Sequence, residues 1–598
     1  MRSYQYDSQK RIFTCPDHKE FPYSDGAAVE ERLLSVIKHA TDISSSSQEL
    51  VSAIEDWPSE YHLSPARHNL LRFLGLGPTH RILELGCGCG AITRHLGETG
   101  ATVVAVEGST RRAQIAAERC RDLDNVSIYC DNLINFSSED KFDFVTLIGV
   151  LEYAPVFIQS DDPVNRCLGH ARSFLKENGT LILAIENQLG LKYFNGCAED
   201  HLGRPFHSIT DLYGPGEPVT FGRCGLMQKL GQAGFVQQTF LFPFPDYKLP
   251  ELLISEAALS HPTFLVADLL HRCSAPQHGF NDLRSFFEPL AWRAIANNNL
   301  LADLANSFLV IASQENTSHD VPARDWLASH YTANRLPSFA METGFYVKED
   351  GIHVIKQPLF PEQGVSEVPL CNGKLIHRAN AEAYYLTGEL YVSELQKFLA
   401  RGAGIEAVAR WARDWLLLLR EHTRFDCAQA SINGEWLDAI PSNFIRRPDG
   451  SLEIIDAEWD FDRDIPLAWI VVRGLVNAIS VCPTSPALAS LTFRQVIDST
   501  LAQAGFPISL NDADYAEAAH WERELRQLVY GEAQTADIFG RLSEERAASV
   551  IAGPIWQEEL ARQQTEIRRI KATVSWQITK PLRYFANLPT RLRRRYIG

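Results

Sequence analysis

No two of the 12 cysteines in this 598-residue chain stand as a Cys-x-x-Cys pair. That spacing marks the common structural zinc sites and redox dithiols, and so few cysteines in so long a chain build no disulfide framework, so a reduced, cytosolic compartment is expected. No apolar run is long enough to cross a bilayer: the most hydrophobic late stretch, Leu467-Ala468-Trp469-Ile470-Val471-Val472, is broken by Arg473 and Asn477. The opening Met1-Arg2-Ser3-Tyr4-Gln5 is polar and lacks the basic-then-apolar order of a secretory leader. Acidic residues are missing from Ile567 to Gly598, in a chain whose net charge is −17. What is present is ordinary globular material, 45% hydrophobic and 22% charged, which excludes disorder as the main state. The length calls for two or three domains.

The densest local pattern is Glu84-Leu85-Gly86-Cys87-Gly88-Cys89-Gly90, entered through Arg81-Ile82-Leu83 and left through Ala91-Ile92-Thr93-Arg94-His95-Leu96. It reads as strand, glycine turn, helix. Glycines let the backbone approach a ligand closely, and the following helix points free N–H groups and its positive end at it. Dinucleotide-binding proteins carry a related turn, so the next strands arbitrate. Thr102-Val103-Val104-Ala105-Val106 ends in Glu107, about twenty residues on, where a carboxylate accepts both hydroxyls of a ribose. Glu84, ahead of the first glycine, is placed to meet the methionine ammonium of S-adenosylmethionine (SAM). Asp131-Asn132, after Val126-Ser127-Ile128-Tyr129-Cys130, offers a carboxylate and an amide to the exocyclic amine of adenine. These features favour SAM over NAD.

The series continues with a fourth strand, Lys141 to Gly149, followed by Val150-Leu151-Glu152-Tyr153. A helix of the Cys167–Leu175 type then leads through a glycine turn, Lys176-Glu177-Asn178-Gly179, into a fifth strand, Thr180 to Ile185. Gly234 to Phe242 reads as the sixth strand and Asn306 to Ala312 as the seventh, with an aromatic- and Leu-rich helical insertion between them, from about 243 to 305. This order resembles the class I SAM-dependent methyltransferases. The resemblance implies an α/β, Rossmann-like seven-stranded sheet over residues 76–314, with SAM held by Glu84, Gly86, Gly88, Gly90, Glu107, Asp131, Asn132 and Gly149. Residues 1–75 are expected to cap the cleft, where Tyr61, His62 and Arg67 either touch the SAM carboxylate or pack the cap.

On the acceptor side, ligands of open α/β sheets bind beyond the carboxyl ends of the strands, so Glu186 to Tyr193 should line the cleft. Glu199-Asp200-His201-Leu202-Gly203-Arg204 follows, dense in groups suited to sugar hydroxyls or proton transfer. Methyl transfer from a sulfonium is an in-line displacement, so the protein aligns the nucleophile and removes its proton where it has one. His201 is the candidate base with Asp200 as its orienter, or else a loop histidine in a structural hydrogen bond; Glu152 is the alternative base. No His/Cys cluster with ligand spacing argues for a metal in this step.

The second half carries a different pattern. Asp438-Ala439-Ile440-Pro441-Ser442-Asn443 has four residues between Asp and Asn, and Ile454-Ile455-Asp456 follows. It resembles the catalytic loop and metal-binding Asp of protein-kinase-like and choline-kinase-like phosphotransferases, which implies Asp438 as base and Asn443 and Asp456 as magnesium ligands facing ATP. Leu437 stands where that family has His or Arg, no glycine-rich phosphate loop precedes the region, and Lys356 is the strand lysine without a clear acidic partner on a following helix. The alternative is a plain hairpin closed by Arg447-Pro448-Asp449-Gly450. This degenerate kinase-like α+β domain is placed at 322–553, after a polar linker near Gln314.

Residues 554–598 are expected as a short basic amphipathic helix. Arg568, Arg569, Lys571, Lys580, Arg583, Arg591 and Arg593 to Arg595 alternate with Trp576, Ile578, Leu582, Tyr584, Phe585 and Leu588. Aromatics beside the charge point to an anionic membrane surface; a nucleic-acid contact or packing on the acidic body are the alternatives, and no nucleic-acid motif occurs elsewhere. A methyltransferase domain, a kinase-like domain and the tail Ser575-Trp576-Gln577-Ile578-Thr579-Lys580 together resemble bifunctional methyltransferase/kinase proteins of bacterial O-antigen polysaccharide biosynthesis, without the long coiled coil of that group. That implies an enzyme peripheral on the inner face of the membrane, methylating a sugar hydroxyl or phosphate of a lipid-linked glycan and working with glycan polymerase proteins. The alternatives are a second half that only binds glycan or partner, and a small-molecule O-methyltransferase unrelated to glycans.

Overall fold

The computed structural model describes residues 2–20, 24–275, 284–314, 325–424, 430–531, 538–547 and Arg569. The strands that the apolar runs announce are β1 Gln5–Asp7, β2 Ile12–Thr14, β3 Arg81–Leu85, β4 Thr102–Glu107, β5 Val126–Cys130, β6 Phe142–Ile148, β7 Leu175–Glu186, β8 Gln237–Phe244, β9 Leu252–Ser255, β10 Ser307–Ser313, β11 Trp326–Tyr331, β12 Met341–Lys348 and β13 Gly351–Pro358. With the edge strand Ala381–Tyr384 they form one fourteen-stranded sheet in the order β1-β2-β5-β4-β3-β6-β7-β10-β8-β9-β11-β12-β13-edge. Strands β2 and β5, then β4, β3, β6 and β7 run parallel, and from β7 onward every neighbouring pair is antiparallel. Strands covered on both faces read as unbroken apolar runs, and β10 is buried along its whole length.

All seven expected strands form, in the spatial order third, second, first, fourth, fifth, seventh, sixth. Three local expectations change. Lys176–Gly179 is no turn: Leu175 already pairs with Phe142, and the extra residues are taken up where the register slips between Phe142 and Phe144, so the segment is an irregular start of β7. The preceding helix is Pro163–Ser173, capped by the Asp162 side chain. The insertion at 243–305 is not wholly helical. It holds the helices Glu256–Ser260, Val266–Leu269, Glu288–Asn297 and Leu301–Leu304, but also β9, which pairs with β8 on one side and β11 on the other.

That pairing carries the sheet past the expected boundary near Gln314 without a break. Residues 1–75 likewise do more than cap: β1 and β2 lengthen the opposite edge of the sheet, while the helix Ala27–His39 packs beside the helix Thr110–Arg119.

Beyond β13 the second half is α+β. The helices Tyr391–Ala400, Ile405–Glu421, Leu467–Ser480, Phe493–Ala504 and Asp512–Tyr530 surround a core with Trp415, Trp469 and Tyr391 fully buried. The apolar run at 467–472 opens one of these core helices. Phe444–Arg446 and Leu452–Ile454 form the hairpin over Arg447-Pro448-Asp449-Gly450. Among the described residues no helix is long and apolar enough to cross a membrane. The basic tail lies outside the described residues, apart from Arg569.

Candidate active site

A cleft opens at the carboxyl ends of β3, β4 and β6, and Glu84, Gly86, Gly88, Glu107, Asn132 and Gly149 all line it. The turn after β3 is fixed by its own backbone: Gly86 and Cys87 donate N–H bonds to the Val106 carbonyl at 2.8 and 3.0 Å. Gly86 sits at φ +88°, and a Cβ there would fall 2.5 Å from Val150 Cγ2, so only glycine fits. Glu107 accepts from the N–H groups of Gly88 and Ser109, both at 2.9 Å, which points its carboxylate along the glycine loop. Glu84 is buried and accepts from Thr93 Oγ1 at 2.6 Å. Burial pushes its carboxyl up to about 7, against the pull of the Thr93 bond and of Arg67.

Two expected SAM contacts do not face the cleft. Asp131 is 1% exposed and takes the Arg2 guanidinium through both oxygens, at 2.6 and 2.7 Å, and the Tyr4 hydroxyl at 2.8 Å. It anchors the N-terminal strand, because the chain entering β1 brings a cation to its side of the sheet edge. Only Asn132 of the pair reaches the cleft. Gly90, at φ +81°, instead lets the helix Ala91–Glu98 approach the backbone of Ala116, where a Cβ would come within 2.7 Å.

Tyr61, His62 and Arg67 line the cleft, and all three also hold it together. Arg67 donates to the carbonyls of Tyr247 and Lys248, at 3.0 Å each, and to Tyr61 Oη at 2.8 Å. His62 Nε2 faces Asp25 Oδ2 at 2.9 Å.

The far wall of the same cleft is made by Tyr153, Asp200, His201, Tyr247 and Lys248. The expected base and orienter are both here but do not pair. Asp200 accepts from the Tyr193 hydroxyl at 2.5 Å and pairs with the ammonium groups of Lys192 and Lys248 at 2.8 Å each. Those two lysines hold its carboxyl well below the usual range in spite of burial. The partner of His201 is Glu186, the last residue of β7, at 3.2 Å from Nε2, while Nδ1 faces the Tyr153 hydroxyl at 3.0 Å. Burial works against a charged imidazole, but Glu186 outweighs it and His201 is raised to about 9. With both nitrogens engaged and the ring charged near neutral pH, His201 is no free base in this state. Glu152 is fully buried behind the wall, and burial together with the Glu186 charge pushes its carboxyl well above the usual range.

Lys248 and Tyr247 are the residues sequence reasoning passed over. They come from the segment Pro245-Asp246-Tyr247-Lys248-Leu249-Pro250 between β8 and β9, a polar stretch flanked by prolines inside an apolar region, which was the available signal.

In the second half Asp438, Asn443 and Asp456 do meet. Asn443 Nδ2 donates to the carbonyls of Asp438 and Asp456 at 3.0 and 3.2 Å. Lys356, on β13, forms an ion pair with Asp456, an acidic partner supplied by a loop rather than a helix. Asp438 is turned inward and 3% exposed; its Oδ2 accepts from the N–H groups of Glu458 and Trp459, both at 2.7 Å. Burial pushes this carboxyl up to about 7, with Arg473 opposing.

Residues 83–181 match the family model described as a methyltransferase domain. A demethylmenaquinone methyltransferase of Tropheryma whipplei is 36% identical over 61 residues, 10% of this chain and 26% of its own, so the chain spans about a quarter of that relative. Among solved structures, a possible histamine N-methyltransferase of Thermotoga maritima matches 43% of this chain and 91% of its own at 20% identity and a TM-score of 0.25. The phosphoethanolamine N-methyltransferase 2 of Haemonchus contortus in complex with SAM matches 42% and 52% at 17% identity and a TM-score of 0.26. From the family match and the strand order around the cleft, residues 83–181 are a methyltransferase domain of the SAM-dependent kind.

Proposed function

We propose that this protein transfers the methyl group of SAM to an acceptor seated against Tyr153, His201 and Lys248. The observation that carries the reading is the convergence of Glu84, Gly86, Gly88, Glu107, Asn132 and Gly149 on one cleft at the carboxyl edge of the parallel strands. SAM, when bound, supplies a methyl group on a sulfonium. Glu84 would hold its ammonium, Arg67 its carboxylate, Glu107 the ribose hydroxyls and Asn132 the adenine edge. An in-line displacement asks the protein chiefly for alignment. No group on the far wall is a ready base, since both nitrogens of His201 are engaged with its imidazole raised to about 9, and Asp200 is held by two lysines. An acceptor oxygen that is already anionic needs none, which favours phosphate over a sugar hydroxyl.

We infer further that the second half is kinase-like and supplies that phosphate on a lipid-linked glycan. The support is the meeting of Lys356, Asn443 and Asp456, where Asn443 and Asp456 would hold magnesium against the phosphates of ATP. The basic tail would rest on the anionic inner face of the membrane, near glycan polymerase proteins. One observation favours a second reading, in which this half only binds glycan or partner: the carboxylate of Asp438 is sealed by two backbone N–H groups.

Transfer of label from SAM to a lipid-linked glycan fraction, with and without ATP and magnesium, tests these readings. Label that requires ATP is expected. Equal label without ATP would make the acceptor a hydroxyl and reduce the second half to a binding module. Membrane flotation of the full chain against a chain ending at Glu566 tests the tail.

A further inference from the structure

At the far wall, where His201 faces the cleft and two carboxylates lie behind it, three side chains from separate segments meet: Glu152 after β6, Glu186 at the end of β7, and His201 from the loop that follows. Each offers one ligand atom, and the three atoms lie within 4.8 Å of one another. His201 Nε2 and Glu186 Oε2 are 3.2 Å apart, the separation of two ligands that share a first-row ion at about 2.0–2.1 Å. Glu152 supplies an independent sign. It is wholly buried, no N–H or hydroxyl of another described residue reaches either carboxyl oxygen, and what it faces is a second carboxylate, Glu186, a rare and costly state for a buried acid.

The surroundings orient the set as outer contacts orient known metal ligands. The Tyr153 hydroxyl faces His201 Nδ1 at 3.0 Å, fixing the ring with Nε2 toward the carboxylates. The ammonium of Lys248 occupies Glu186 Oε1 and leaves Oε2 for the cluster.

We propose that Glu152, Glu186 and His201 form a site for a divalent first-row cation, zinc being the best match to one imidazole and two carboxylates, which ties the His201 loop to the ends of β6 and β7. A second cluster, Asp25, His62 and Cys89, is equally compact, but there no buried nitrogen or oxygen is left unsatisfied, since Asp25 faces His62 Nε2 at 2.9 Å and lies 3.7 Å from the Arg112 guanidinium. Local sequence spacing gives no hint of the first site, because its members stand 34 and 15 residues apart.

The test uses the untagged full chain, stripped of metal and titrated with zinc chloride by calorimetry, with bound metal counted by mass spectrometry. One equivalent per chain is expected. Glu152→Gln, which keeps the volume of the side chain, should melt within about 2 °C of the wild type without metal yet bind zinc at least about tenfold more weakly. His62→Gln should bind zinc as the wild type does. No stoichiometric zinc in the wild-type chain, unchanged affinity in Glu152→Gln, or loss confined to His62→Gln would each overturn the proposal. Cobalt loading of the unmodified chain gives a check free of variants: visible bands of a four- or five-coordinate site are expected, and the spectrum of hydrated cobalt alone would refute it.

Discussion

Glu107 and Glu84 show how one residue type is put to two uses a few ångströms from the same turn. Glu107 is positioned by two backbone N–H bonds, which keep it aimed along the glycine loop where a ribose would lie. Glu107→Ala removes that acceptor and should weaken SAM binding by about 1.5–3 kcal/mol, roughly tenfold to a hundredfold, as read by calorimetry. Glu84 is buried with a carboxyl raised to about 7. The sign of its pH effect follows: the ammonium of SAM needs the ionised carboxylate, which prevails above about pH 7, and below that a proton must leave on binding. SAM affinity should therefore rise between pH 6 and 8, by at most about tenfold per unit, and Glu84→Gln should flatten the profile. His201 was legible as a cleft residue, but its role was not. A neighbour in sequence, Asp200, was the natural orienter, and the fold instead brought up Glu186 from fifteen residues upstream.

At the scale of elements, the loop from Trp436 to Asn443 and the segment from Asp456 to Trp459 are held together by a division of labour. Asp438 ties down the backbone of Glu458 and Trp459, whereas Asp456 stays half-exposed against Lys356. Asp438→Ala should leave two buried N–H groups without an acceptor and cost about 2–4 kcal/mol in urea unfolding, whatever the ligand of this half. Asp456→Asn removes a partly exposed pair and should cost under about 1 kcal/mol, yet abolish any ATP-dependent labelling. A destabilised Asp456→Asn that kept the ATP-dependent step would reverse these two roles. The Asp-x4-Asn spacing revealed this cluster in the sequence because the loop is short and local. Lys356 found its acidic partner a hundred residues away, which no local pattern encodes.

The whole molecule is joined by its sheet. β9 is buried along its length between β8 and β11, so the second half covers an edge that the half holding the cleft would otherwise expose. Two halves drawn as separate domains would be expected to part cleanly near Gln314. A chain ending at Gln314 should instead aggregate or stay insoluble, since it presents an apolar strand edge to solvent. A soluble monomeric fragment with wild-type SAM affinity would show that the shared edge contributes little. The same continuity links the far wall of the cleft to the second half through one sheet, because Tyr247 and Lys248 stand between β8 and β9.

By itself the sequence determined the parallel strands, the glycine turn and the carboxylates that end β3 and β4, because apolar runs, glycines and strand-end acids are short-range signals that the backbone must obey wherever it goes. It also marked the Asp438, Asn443 and Asp456 cluster. The tertiary structure decided the rest: that Asp131 holds Arg2 rather than facing the cleft, that His201 pairs with Glu186, that Glu152 is buried against a second carboxylate, and that one sheet spans both halves. Each of these depends on which distant side chain or strand edge is nearest once the chain has packed, and burial then sets whether a carboxyl or imidazole keeps its proton.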